Sequence, residues 1–282
     1  MSTTSNGAVF AAARPCGADR GRQKGNVLPA RLSAAPVSAP ERAASLDLFF
    51  ADPRNYLHRR RYEIRLRSEI ALALIGRAEH SEILDIGCGD GSISLPLLNS
   101  TNHLTLLDVC GNMLARAQSK IPSPLAKCVT CLHADVMTAP LSARSFDLVL
   151  CLGVLAHAEF PLRLICRIAS LLRRDGTLIL QFTDSRHFLA RPMRLYGRLC
   201  NAIRPAAYHL NVLSASRMLS RAASSGLKLV ATYRYASLPP GAHRVFTQRA
   251  LYRLIHGLFG TAAHNRNAWL GNEYICKFRL SR

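Results

Sequence analysis

The chain has 282 residues, enough for one sizeable domain with appendages, and 49% of them are apolar, as in ordinary globular proteins. It contains no run of about 18 apolar residues, so no membrane-spanning helix is expected. The formal net charge of +20 suits nucleic acid, an anionic membrane or an anionic small substrate as partner, or only a solubilising surface.

Residues 1–45 are rich in Ala, Ser, Arg, Gly and Pro and show no apolar periodicity. They read as a disordered tail. Their shortage of acids is similar to an organelle transit peptide, and a plain tail fits equally. The expected location is therefore the cytoplasm, or an organelle if the tail targets one. Residues 46–282 then form one domain with its core at 80–183. The stretch "DPRNYLHRRRYEIRLRSEIALALIG" carries Pro near its start and Gly76 at its end, which predicts a leading helix. Tyr56, Ile64, Leu66, Ile70 and Leu74 are expected on its apolar face.

Short apolar runs follow at 82–86, 103–108, 128–134, 146–152 and 176–182, separated by helical segments near 91–99, 112–119 and 160–173. That alternation predicts βαβ units and a doubly wound, mostly parallel α/β sheet. A basic, partly helical cap is expected at about 185–213 and 236–268. Ser214 and Gly226 can bound another helix, and 227–235 and 273–280 read as two further strands. Nine cysteines, an odd count with several inside apolar runs, suit buried thiols in a reducing compartment. Cys128 and Cys131 form a lone C-x-x-C with no second pair or histidine pair after it, so no metal site is expected.

The first strand runs into "ILDIGCGDGSISL", residues 83–95. A strand, an acid at Asp85 and glycines at 87, 89 and 91 make a turn that lets backbone approach a nucleotide-like ligand. A phosphate cradle of the G-x-x-x-x-G-K-[ST] kind lacks its lysine, since Ser92 and Ile93 follow Gly91. A dinucleotide loop needs glycine at 92, where Ser92 stands.

"LDIGCGDG" resembles the first motif of the class I S-adenosylmethionine-dependent methyltransferases, which have a Rossmann-like seven-stranded sheet. The resemblance continues through "LTLLDVCGNMLARA", "CLHADV", "SFDLVLCLGVLAH" and "LLRRDGTLIL", over roughly residues 80–183. It implies S-adenosylmethionine as cofactor. Asp85, Gly87, Cys88 and Gly89 would form the loop against its methionine part, with Cys88 as a packing residue. Asp108, with Val109 beside it, would accept hydrogen bonds from the ribose hydroxyls, two acceptor oxygens meeting two donors. Met113 would lie near the adenine, Asp135 and Val136 would bind its amino group, and backbone at Leu152 and Gly153 would meet the methionine end. On the leading helix, Tyr56, or less so Tyr62, could close over the site.

Methyl transfer needs a general base only when the acceptor must lose a proton. His157, just past the fourth strand, is the best-placed candidate, with His187 second. The acceptor pocket of such enzymes is built by the leading helix and the segment after the fifth strand. Those segments carry Arg59, Arg60, Arg61, Arg65 and Arg67 on one side, and Arg186, Arg191, Arg194, Arg198 and Arg204 on the other. Residues 183–282 alone hold sixteen Lys/Arg against two acids. The expected acceptor is a small or lipid-like metabolite, anionic, free or borne on a carrier. RNA methylation is the alternative among enzymes, although rings for stacking bases are sparse. A non-catalytic partner subunit is the alternative outside them.

Overall fold

The computed structural model describes residues 57, 60–189, 211, 213–236, 238 and 242–281. The 1–45 tail, Tyr56 and most of the 185–213 segment lie outside the described residues.

Helix α1 (Arg61–Ile75) ends at Gly76, whose φ of 78° is the left-handed conformation that stops a helix. Its buried face is Tyr62, Glu63, Leu66, Ile70, Ala71, Leu74 and Ile75. Tyr62 thus takes the place expected for Ile64, and a carboxylate goes inside with it. Strand β1 (Glu82–Ile86) pairs in parallel with β2 (His103–Asp108) and with β4 (Phe146–Cys151). Strand β3 (Val129–His133) lies outside β2, and β5 (Leu172–Thr183) lies beside β4. Strands β6 (Leu227–Tyr235) and β7 (Glu273–Leu280) complete a seven-stranded sheet of order β3-β2-β1-β4-β5-β7-β6. β7 runs antiparallel to both its neighbours.

One face of the sheet is covered by α3 (Pro161–Leu171), through Leu164, Ile165, Ile168 and Leu171, and by α4 (Ala215–Ser224), through Met218 and Ala222. The other is covered by α1, by α2 (Gly111–Gln118) and by α6 (Gln248–Phe259), which follows the short α5 (Ala242–Val245). Helix α6 seats Leu251, Ile255 and Phe259 in the same core cluster as α1. This part of the expected 236–268 cap is a layer of the sheet's face. Each such fully buried aliphatic side chain contributes about 1.5–3 kcal/mol.

Two local expectations need correction. The glycine loop does not open an α-helix over 91–99. It passes into a single 3-10 turn, Leu95–Leu97. Pro96 removes a backbone donor there, and the Asn102 side chain closes the turn by donating to the Leu97 carbonyl at 2.7 Å. Ser214 precedes α4, but its hydroxyl bonds Ser216 at 2.8 Å. Asp184 accepts from the Ala215 amide instead, at 3.3 Å.

Candidate active site

The site lies at the C-terminal edge of β1, β2 and β4, where the strands release their chains into loops. Gly87, Gly89, Gly91 and Gly153 all have positive φ, from 55° to 79°. At Gly87 a Cβ would stand 2.4 Å from Val154 Cγ2, so the turns after β1 and β4 are packed into each other. The amides of Gly87 and Cys88 both donate to the Leu107 carbonyl, at 2.8 and 3.1 Å, and Gly91 N donates to Cys88 O at 3.0 Å. Gly89 N donates to Asp108 Oδ2 at 2.7 Å. These four amides are thus spent within the protein, and a phosphate would find none of them available.

Asp108 is the clasp between β1 and β2. Its second oxygen, Oδ1, accepts from Cys110 N at 2.8 Å. Burial raises its pKa, against the pull of the Cys110 and Gly89 amides. A carboxylate has about four acceptor positions, so each oxygen keeps capacity for a ligand hydroxyl. Asp85 is fully enclosed, and burial pushes its pKa up to about 7; the Ser94 hydroxyl pulls it down and Asp108 adds to the rise. Cys88 is buried. Burial first, then Asp85 and Asp108, drives its thiol far above the ordinary range, so it stays a neutral packing group.

Met113 is buried with its Cε 3.3 Å from where a Gly89 Cβ would stand. The Val109 carbonyl meets His133 Nε2 at 3.0 Å. Asp135 is exposed, and its Oδ1 accepts from Met137 N at 2.7 Å, a turn cap that leaves Oδ2 for a ligand amine. Val136 and Leu152 are buried. His187 is tied to the Trp269 carbonyl at 2.8 Å. Tyr62 donates to Glu63 Oε1 at 2.9 Å, a structural bond within α1. None of the seven described cysteines, Cys128 and Cys131 among them, is in a disulfide.

Arg60 and Arg67, expected with the acceptor pocket, meet side chains that the sequence left without roles: Glu63, Tyr235, Gln181 and Glu273. Arg67 Nη1 lies 3.3 Å from where a Gly153 Cβ would stand. Arg67 and Arg60 both pair with the buried Glu63, at 3.5 and 2.9 Å. Burial opposes the charge on Glu63, yet Arg67 and Arg60 outweigh it and hold its pKa below the ordinary value. Gln181 Nε2 donates to Tyr235 Oη at 3.3 Å and to Glu273 Oε2 at 3.1 Å. Glu273 also accepts from Thr183 at 2.6 Å. The one signal in the sequence was Glu63 itself, an acid at helical spacing from Arg60 and Arg67. His157 lies close to the two arginines. Burial, then Arg67 and Arg60, lowers its pKa to about 4, so its imidazole is neutral at physiological pH.

The family described as "Methyltransferase domain" matches residues 84–180, which contain this loop and the β4 turn. Residues 84–180 are a class I methyltransferase domain. An uncharacterized methyltransferase of Mycobacterium tuberculosis is 34% identical over 96 residues, 34% of this chain and 47% of that protein. A malonyl-[acyl-carrier protein] O-methyltransferase of Paenibacillus is 27% identical over 180 residues, 58% of this chain and 63% of that one. The chain thus spans about half the length of the mycobacterial relative and under two thirds of the other. Among solved structures, a magnesium protoporphyrin IX methyltransferase from Synechocystis with bound S-adenosylmethionine superposes with a TM-score of 0.53. It shares 18% identity, over 88% of this chain and all of that one.

The methyltransferase domain's residues fit S-adenosylmethionine, the cofactor of its class. The methionine end carries no phosphate, which suits a loop with four amides already spent. Its cationic groups suit Asp85, and its carboxylate suits Arg67 beside Gly153. Asp108, expected at the ribose, keeps acceptor capacity on both oxygens, and Asp135 keeps its Oδ2.

Proposed function

We propose that the protein methylates a carboxylate-bearing acceptor, small or lipid-like, with S-adenosylmethionine as methyl donor. When bound, that cofactor supplies a methyl group on a sulfonium sulfur. Asp85, Asp108, Asp135 and Arg67 would hold and orient it. The reading rests on one observation above all: His157 stands by Arg60 and Arg67, two cations that share the one carboxylate of Glu63, and its imidazole is held neutral at a pKa of about 4. An imidazolium that acidic makes its imidazole a weak base. A carboxylate acceptor needs no base, because it is already a nucleophile, and Arg60, more than half exposed beside Glu63, offers it a counter-charge. His157 then positions the acceptor by hydrogen bonding. The similarity to a malonyl-carrier O-methyltransferase supports an acyl acceptor on a carrier.

The test is methyl transfer by the purified protein to malonyl, fatty acyl and aromatic carboxylates, free and on an acyl carrier. His157→Gln is expected to keep kcat within about tenfold, because general-base removal would cost about 10²–10⁴. Arg60→Gln should raise KM for the acceptor while leaving cofactor affinity unchanged. A loss of several hundredfold in kcat for His157→Gln would restore His157 as general base and point to a hydroxyl or amine acceptor.

A further inference from the structure

Helix α6 turns one face inward through Leu251, Ile255 and Phe259. Its other face is not uniformly polar. Ala250, Leu254 and Leu258 stand in line one turn apart, and both leucines are exposed, at 46% and 44%. A Cβ on Gly257, in the same stripe, would meet nothing within 4 Å. Arg249 and Arg253 border the stripe and are exposed.

The apolar surface continues beyond the helix. Asn267 Nδ2 donates to the Leu258 carbonyl at 2.9 Å, which brings the 267–269 segment to the C-terminal end of α6. Trp269 is 63% exposed there and Phe188 51%. Their rings stack at 6.0 Å and 16°. Phe188 follows the end of β5, so the surface runs toward the sheet edge that carries the cofactor site. The exposed Arg266 lies in the connecting loop. Among the described residues, Arg249, Arg253 and Arg266 take part in none of the ion pairs. From residue 183 onward the acids are Asp184 and Glu273, and Glu273 is buried.

We propose that this ridge, Leu254, Leu258, Trp269 and Phe188 flanked by Arg249, Arg253 and Arg266, seats the protein on an anionic lipid surface. Aliphatic, phenyl and indole side chains bordered by arginines, with no exposed carboxylate among the named residues, match the chemistry of a headgroup layer over acyl chains. An acidic protein would match the arginines but would leave the apolar line unexplained unless it carried an apolar groove. Neither the surface nor its lipid chemistry depends on the identity of the methyl acceptor. Docking would set the acceptor entrance beside the membrane, where a lipid-like substrate is concentrated.

Trp269 is the chain's single tryptophan, so its fluorescence reports this surface alone. The full chain should be titrated with phosphatidylcholine vesicles containing about one third phosphatidylglycerol, and with vesicles of phosphatidylcholine only. The expected result is a blue shift and quenching by brominated acyl chains with the anionic vesicles. Arg249→Gln with Arg253→Gln should weaken binding about thirtyfold, each arginine being worth roughly 1 kcal/mol at such a surface. Leu254→Asp with Leu258→Asp should abolish it, and cofactor affinity of each double variant shows that it has folded. Vesicle binding that leaves Trp269 unquenched would place the contact elsewhere and overturn the proposal. So would the absence of vesicle binding together with self-association that Leu254→Asp and Leu258→Asp remove, which would make the ridge a protein interface.

Discussion

The cofactor half of the molecule and its basic C-terminal hundred residues solve different problems. Residues 68–182 hold nine Lys/Arg against ten acids, whereas residues 183–282 hold sixteen against two. In the first region the site is made by backbone: four glycines at positive φ, two turns in contact through Gly87 and Val154, and a clasp from Asp108 to the Gly89 and Cys110 amides. In the second, what stands out is side chains on ordinary elements, such as the exposed Leu254, Leu258 and Trp269. Glycines show the contrast: Gly87 has no room for a methyl group, while Gly257 on α6 faces open space. A backbone-built site tolerates almost no change, and a side-chain surface can be rewritten one residue at a time.

The largest effect expected from breaking this contrast is at Asp85. Its pKa in the folded protein, about 7, lies above its ordinary value of 3.8. The native state therefore holds the proton more tightly than the unfolded chain does. Stability linked to this group is fully present below pH 3.8 and is lost as pH rises to 7. Above that, the empty protein carries a destabilisation of up to about 4 kcal/mol. Asp85→Asn should raise the stability of the empty protein at pH 8 by up to that amount, with little change near pH 4, as measured by urea unfolding. The same variant should bind cofactor more weakly, because it lacks the charge that faces the cofactor's cations. In the native protein, affinity for S-adenosylmethionine should climb as pH rises through 7. Calorimetry in buffers of different ionisation enthalpy should show a proton released on binding.

Next comes Gly87→Ala, where the wrong φ and the overlap with Val154 should together cost about 2–4 kcal/mol. Adding Val154→Ala should recover the overlap and leave the backbone cost. Asp108→Ala should weaken cofactor binding by about 1.5–3 kcal/mol, the scale of hydrogen bonds to a charged group. The smallest effect is at the other pole of the comparison: Gly257→Ala should stabilise the protein by about 0.5–1 kcal/mol, since a helical glycine is exchanged for the best helix former where nothing stands in the way.

The same contrast explains what the sequence disclosed. Strands were legible because short apolar runs bounded by turn residues have few other readings, and β1, β2, β6 and β7 match the expected boundaries. The cofactor loop was legible because glycine spacing records backbone conformation directly. The helix expected over 91–99 was not, because Pro96 and the Asn102 side chain override the apolar pattern of "SISLPLL". The network around Arg67 was legible only through that arginine, which the leading helix placed with the expected acceptor pocket. Arg67, Gln181, Tyr235 and Glu273 come from four elements up to 206 positions apart and meet only once β7 has inserted between β5 and β6. Antiparallel insertion of the last strand leaves no local mark. The pairing of Thr183 and Tyr235 with Glu273 therefore had to be seen.

On this reading the loop from Asp85 to Gly91, clasped by Asp108, holds S-adenosylmethionine and not a phosphate-bearing nucleotide. Isothermal calorimetry of the full chain with S-adenosylhomocysteine and, separately, with NAD tests it most directly. One-to-one binding of S-adenosylhomocysteine, weakened in Asp108→Ala, and no heat from NAD are expected. Binding of NAD with none of S-adenosylhomocysteine would contradict it.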